Sequence, residues 1–302
     1  ANSKIEFEFE QSERQQMGVN GYSLWDGASS LPGTVNGKTN LTRQAWSVPG
    51  VFIANTGSIR YKKILGDGWT WTTSYGSQRL RTDDRLTFAF GCGGLCDRFY
   101  SDGSFDVYDY RSDNERRLTD ALQTAVSGST QLFGVQHDLT LAAMRWRQLD
   151  RLMPTQLYSY AGTSLAAGSA VDVQQGNTTY FNTDRSEYAT ELSLTDRIQL
   201  SAKTALWAGL RNTQSDRSTV SLNSDNPNPR NQKNSFTTPW LALTHEYVNG
   251  STAFVSYGEG VELFAAPNNA NYNNAGQFLG VQRSKQAELG ARGKSENAIN
   301  WN

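Results

Sequence analysis

From Lys4 to Glu10 every second residue is apolar and every other one is charged. Ile5, Phe7 and Phe9 share one side, and Lys4, Glu6, Glu8 and Glu10 share the other. A period of two belongs to a strand with two different environments. The same period returns along the chain. Leu241, Leu243 and Tyr247 alternate with Trp240, Ala242, Thr244 and Glu246. Tyr188, Thr190, Leu192 and Leu194 alternate with Glu187, Ala189, Glu191 and Ser193. These runs, with Asn249-Gly250 as a hairpin turn between Thr238–Tyr247 and a further strand at Ser251–Tyr257, predict an all-β chain built from antiparallel neighbours.

The connections carry the second constraint. Short turns are expected at Gly66-Asp67-Gly68, Phe133–Gln136, Asp196–Gln199 and Val248–Gly250. Between them lie polar stretches of about twenty residues or more, around 12–49, 82–114, 152–184, 212–235 and 258–284. Short turns therefore gather at one end of the sheet and long loops at the other. Soluble sandwiches seldom sort their loops this way, whereas outer-membrane barrels do, with short periplasmic turns and longer extracellular loops. An apolar row facing lipid and a polar row facing a wide lumen would give the observed alternation. The expectation is an antiparallel transmembrane β-barrel of which about ten complete strands are present.

Composition is compatible with this. Only 37% of the 302 residues are hydrophobic. No apolar run is long enough for a membrane-spanning helix, but a barrel keeps its apolar surface in alternate residues. A net charge of −1 argues against a general nucleic-acid binder. Both ends look cut within strands, so residues 1–302 are expected to be one partial barrel domain.

Few residues suggest chemistry. Cys92 and Cys96 are the only cysteines; three intervening residues and no nearby histidine speak against zinc. A loop-tip disulfide in an oxidising compartment is expected, with free thiols as the alternative. The aspartates of Phe99–Arg111 lack the bidentate glutamate of a calcium loop, so no metal site is assigned. His137 and His245 both adjoin short turns, and no catalytic group is assigned.

Three ordered segments, Thr252–Gly260, Asn271–Gly276 and Arg283–Arg292, resemble the barrel of TonB-dependent siderophore receptors, as do Phe99–Arg111 with Arg116 and Arg117, and Thr238–Leu243. Gly260–Pro267 departs from that family's usual continuation. The resemblance implies a bacterial outer-membrane receptor with a barrel of about twenty-two strands. An N-terminal plug and the remaining strands would lie outside this sequence. Such a receptor binds a ferric siderophore at its extracellular loops and imports it with energy from the inner-membrane TonB complex, contacted through the plug. It carries iron(III) only within the chelate, has no cofactor of its own, and is expected to be a monomer. Loop aromatics and arginine suit a bulky, often anionic chelate. The ligand candidates are Tyr100, Phe105, Tyr108, Tyr110, Arg111, Phe264 and Tyr272. Glu191, Arg211, Glu246, Glu288 and Arg292 are expected to line the lumen. The competing expectations are a passive porin, an outer-membrane enzyme, and a soluble all-β binding module whose apolar faces are covered by a second sheet.

Overall fold

A computed structural model describes residues 2–18, 23–30, 40–91, 98–164, 171, 177–248, 250–266, 272–294 and 300–301. They form one antiparallel sheet of thirteen strands. The strands are β1 (Ser3–Gln16), β2 (Gly50–Gly66), β3 (Trp69–Phe90), β4 (Phe105–Leu132), β5 (Val135–Arg151), β6 (Thr155–Ser164), β7 (Asn177–Phe181), β8 (Thr183–Ser201), β9 (Thr204–Ser221), β10 (Arg230–Val248), β11 (Ser251–Glu262), β12 (Gln282–Lys294) and β13 (Asn300–Trp301). The main path runs β1-β2-β3-β4-β5-β8-β9-β10-β11-β12-β13, open at both edges, while β6 branches from β4 and carries β7. Ten long strands thus make a continuous wall, as the alternation predicts.

Register carries one parity across that wall. Phe7 lies opposite Ile59, Ile59 opposite Tyr75, and Tyr75 opposite Leu122. Leu141 pairs with Leu194, Leu194 with Leu210, Leu243 with Leu206 and Val255, and Val255 with Leu289. All of these fall on one face. It stays uncovered: Phe7 is 73% exposed and Leu289 86%. Among the described residues no second sheet covers this face, as a soluble module would require.

The short turns hold at 67–68 and 133–134, where both turn residues have positive φ. That backbone matches the twist of the strands it joins. One turn is misplaced by sequence: β8 continues through Asp196–Gln199 and turns at 202–203. The long connections are corrected more widely. Strands take up much of the expected loops, leaving 17–49, 91–104, 222–229 and 263–281, while 152–184 contains β6 and β7. The β9–β10 connection is well below the expected length. The cause is physical. Beyond the apolar band neither face is uniformly apolar or polar, so the amphipathic signal fades while the cross-strand hydrogen bonds continue. At 28 residues, β4 reaches roughly 90 Å at about 3.3 Å per residue.

The buried apolar core sits at the end of the wall remote from the short turns. Leu41, Phe99, Phe105, Val107 and Ala161 form it, with Trp25, Trp46, Ala89 and Val171 packed against them. Segments 23–30 and 40–49 are tied down by main-chain bonds from Asp26 N to Phe99 O (2.8 Å) and Phe99 N to Leu24 O (2.9 Å), and by Trp46 Nε1 donating to Val171 O (2.8 Å).

Within the wall, aromatic rings lie over cross-strand glycines. Trp240 faces Gly209, and Phe254 faces Gly290. A Cβ added at Gly209 would collide with the Trp240 indole nitrogen, whereas one at Gly76 meets nothing within 4 Å. Gly209→Ala is therefore expected to displace Trp240 and cost about 1–3 kcal/mol, as overpacking does. Thermal unfolding of the full-length protein in detergent should show a lowered midpoint for Gly209→Ala and little change for Gly76→Ala.

Candidate functional site

At the remote end β4 changes partners. Below, it pairs with β5 from Leu132 down to Arg116; above, it pairs with β6 from Arg111 to Phe105. The switch coincides with a bulge between Thr82/Asp84 of β3 and Ser112/Glu115 of β4. Asn114 takes a positive φ of 55°, and its amide donates to the buried Asp83 carboxylate (2.8 Å). Asp83 also accepts from Arg81 (3.1 Å). The extra residue re-aims β4, and above it the sheet continues as β3-β4-β6-β7.

That upper sheet presents seven aromatic rings on one face. Phe88 stacks on Tyr108 at 5.5 Å and 18° between planes. Phe90 meets Tyr108 edge-on at 6.3 Å, and Tyr160 lies 5.4 Å from Tyr108. Tyr110 and Tyr158 are 4.9 Å apart, and Tyr158 is edge-on to both Phe88 (6.4 Å) and Tyr180 (5.3 Å). Such offset and edge-to-face contacts satisfy the ring quadrupoles. Phe88 and Phe90 keep the even parity of β3, shared with Ser74 and Gln78 on the polar face of the wall. Phe90, Tyr160 and Tyr180 remain exposed. The rim is polar: Tyr110 Oη donates to Gln156 (2.9 Å), Thr163 to Asp106 (2.8 Å), and Tyr100 Oη to the other Asp106 oxygen (3.3 Å).

The opposite face of the same strands is dry. Phe105, 0% exposed, packs on Phe99 at 4.9 Å. Arg111 Nε donates to the buried Asp109 carboxylate at 2.7 Å on that side. Burial pushes the Asp109 carboxyl above its ordinary range, against the pull of Arg111.

The sequence candidates thus separate. Tyr108 and Tyr110 belong to the array, and Tyr100 reaches its rim. Phe105 lies in the core beneath it, and Arg111 is engaged on the reverse side. Phe264 and Tyr272 are exposed in the β11–β12 connection, where Leu279 N donates to Phe264 O (2.9 Å) and Ala275 N to Tyr272 O (3.1 Å). Among the described residues no hydrogen bond or ring contact joins them to the array. Cys92 and Cys96 lie outside the described residues. Five rings, Phe88, Phe90, Tyr158, Tyr160 and Tyr180, were missed. Their alternation in Thr87–Phe90 and Leu157–Tyr160 was the available signal, lost because both segments read as loop.

The polar face of the wall carries the other set. Glu191 accepts from Trp146 Nε1 (3.3 Å) and pairs with Arg211 (3.6 Å). Glu246 accepts from the Gly250 amide (3.3 Å), and Glu288 from Gln286 (2.6 Å). Arg292 lies opposite Thr252 on the parity of Glu288. The two histidines are apart: His137 Nδ1 lies 2.7 Å from Asp196 and His245 Nδ1 2.9 Å from the Thr204 hydroxyl. Among the described residues no cluster of three or more His, Cys, Asp or Glu has metal-binding geometry.

Burial pushes the Tyr110 phenol up to about 12. An unfolded phenol ionises near 10. Between these values the folded state holds a proton that the unfolded state has lost, so this contribution to stability falls as pH rises from about 10 to about 12. In an absorbance titration of the full-length protein, Tyr110→Phe should remove a late-ionising phenolate near pH 12 and leave those near 10.

Comparison with known proteins bears on this geometry. Residues 8–302 match the family model described as TonB dependent receptor-like, beta-barrel. Among solved structures, the siderophore receptor PiuA from Acinetobacter baumannii aligns with a TM-score of 0.73 at 14% identity, over 98% of this chain and 45% of that one. The ferric preacinetobactin receptor BauA of the same species gives 0.70 at 16%, over 97% and 42%. The ferric-catecholate import receptor Fiu from E. coli K12 gives 0.71 at 12%, over 98% and 47%. The chain spans less than half the length of these structures. No curated protein matches it by sequence.

Proposed function

We propose a function from one premise: the chain belongs to the TonB dependent receptor-like β-barrel family, whose model it matches over residues 8–302. The thirteen-stranded sheet is a partial, unclosed portion of that barrel. In the full-length protein it stands in the bacterial outer membrane as a receptor, with the short turns in the periplasm and the upper sheet outside the cell. The uncovered apolar face meets lipid. Glu191, Arg211, Glu246, Glu288 and Arg292 face the lumen, where a plug supplied by preceding sequence fills the opening and contacts the inner-membrane energy-transducing complex. The cargo is a ferric siderophore, imported through rearrangement of the plug.

The observation that carries this reading is the seven-ring array on the upper sheet. Packed tyrosines with exposed edges and hydroxyls offer flat contact area at low entropic cost, and phenols accept and donate hydrogen bonds at the rim. That chemistry fits an aromatic or otherwise bulky iron chelate. Tyr108, Tyr110, Tyr160 and Tyr180 are assigned as contacts, with Tyr100 at the edge. Phe105 is assigned to holding the platform from beneath, and Arg111 to fixing Asp109. Phe264 and Tyr272 offer a separate surface on another extracellular loop.

Removing one exposed ring should weaken chelate binding by about 1 kcal/mol, roughly fivefold in Kd. Tyr160→Ala and Tyr180→Ala in the full-length receptor, assayed against a panel of ferric siderophores by fluorescence quenching and uptake, should show that loss. Tyr61→Ala, in the wall, should not. Unchanged affinity in both array variants, or no uptake of any ferric siderophore by the wild type, would contradict the assignment.

A further inference from the structure

We propose that the lipid-side face of β3, β4 and β5, just beyond its apolar band, binds the headgroup of a lipid that carries two or more phosphates. The inference rests on the membrane reading above and goes beyond it by assigning a second ligand.

The register builds the site row by row. Tyr75, Leu122, Arg145 and Thr190 are cross-strand neighbours at the edge of the apolar band. The next row is Ser77, Asp120, Arg147 and Tyr188; then come Arg79, Leu118 and Leu149; then Arg81, Arg116 and Arg151. All share the parity of the lipid-side leucines. Six guanidiniums therefore occupy three adjacent strands within four rows. Arginine is the residue suited to bidentate phosphate recognition, and a basic cluster beside an apolar surface is the pattern that holds anionic headgroups.

The carboxylates on this face are already engaged. Asp120 is buried and accepts from Arg79 (2.9 Å), Arg147 (2.8 Å) and Tyr75 Oη (2.8 Å). Asp83 holds Arg81 at 3.1 Å, and Asp184 lies 3.7 Å from Arg151. Asp120 neutralises one charge while fixing two guanidiniums side by side. Arg116 has a single hydrogen bond, 3.5 Å to Asn114, and Arg145 makes no hydrogen bond or ion pair among the described residues. Both are exposed. The patch is left with surplus positive charge in a fixed spacing, which an anion with several charges would neutralise.

The surroundings select a lipid over a free anion. Ile53 and Leu118 floor the groove beside Arg79, Arg81 and Arg116. On the other side a groove runs from Arg145 past Tyr188 and Thr190 to Asp216 and Lys233, which pair with each other at 3.5 Å. Directly below are Leu122, Leu141 and Leu192, exposed and level with acyl chains on the membrane reading. Tyr75 and Tyr188 lie at the level where amphipathic rings collect in membrane proteins. A soluble phosphate would gain nothing from that apolar floor.

The test uses full-length receptor with Arg116→Gln, Arg145→Gln and the double variant; these leave the Asp120 pairs with Arg79 and Arg147 intact. Protein is exchanged into detergent, and retained lipid is measured by native mass spectrometry. Thermal midpoints are then recorded with added bis-phosphorylated lipid A, phosphatidylcholine or inorganic phosphate. Wild type should retain phosphorylated lipid and gain stability from lipid A alone, and the double variant should retain about tenfold less or lower still. Equal retention by wild type and double variant would overturn the proposal. So would equal protection by inorganic phosphate, which would make this a simple anion site, or by phosphatidylcholine, which would make it acyl-chain contact only. Ferric-siderophore binding measured on the same samples separates the two readings: a receptor that inserts and binds chelate yet shows no lipid A effect loses only this inference, whereas a protein that stays soluble without detergent loses the membrane reading itself.

Discussion

Cross-strand register is the constraint on which the rest of this molecule depends. In a strand the side chains alternate, so a slip of one residue turns every outward leucine inward and every inward glutamate outward. Across the ten long strands the partners keep one parity, from Ile5 opposite Tyr61 to Val255 opposite Leu289. The wall buries little apolar surface of its own. Its order comes from continuous main-chain hydrogen bonding and from side chains matched across strands, and its apolar face calls for a non-aqueous neighbour. Tight turns at 67–68 and 133–134 set that register at one end.

At the other end a local irregularity creates the site. The bulge around Asp83 and Asn114 changes the partner of β4 from β5 to β6. Above it Tyr108 and Tyr110 stand opposite Tyr160 and Tyr158 of β6, which follows β5 after residues 152–154 along the same edge of β4. The buried Asp83 carboxylate that receives the Asn114 amide sits at this bulge, directly below the aromatic platform. The compact core of Leu41, Phe99, Phe105 and Val107 backs that platform and keeps its reverse face dry.

How much was legible in sequence follows from where water lies. In the wall one face is apolar and the other polar, so Leu192 and Glu191 declared their sides by type alone. The strand count and the parity of Glu191, Arg211, Glu246, Glu288 and Arg292 could be read in this way. Higher up, both faces are polar or mixed, and strand and loop look alike; the expected loop at 82–114 proved to be strand from both ends. The array was half visible. Tyr108 and Tyr110 stood out as aromatics in a polar stretch, but Phe88 and Tyr158 join them only through a pairing set by the bulge, which no local pattern encodes. Phe105 looked like its neighbours and differs only because odd positions there face the core. The arginine rows on β3, β4 and β5 were likewise invisible in sequence, since Arg79, Arg116 and Arg147 meet only through register.

The central claim is that one parity of this wall meets lipid and the other meets water. Its most direct test is a cysteine scan of residues 189–194 of β8 in the full-length protein, with Cys92 and Cys96 replaced, using spin labels in reconstituted membranes. The account predicts a period-two pattern in which oxygen, partitioned into lipid, relaxes labels at 192 and 194, while a water-soluble paramagnetic reagent relaxes those at 191 and 193. A reversed pattern, or equal access of the water-soluble reagent to both parities, would contradict it.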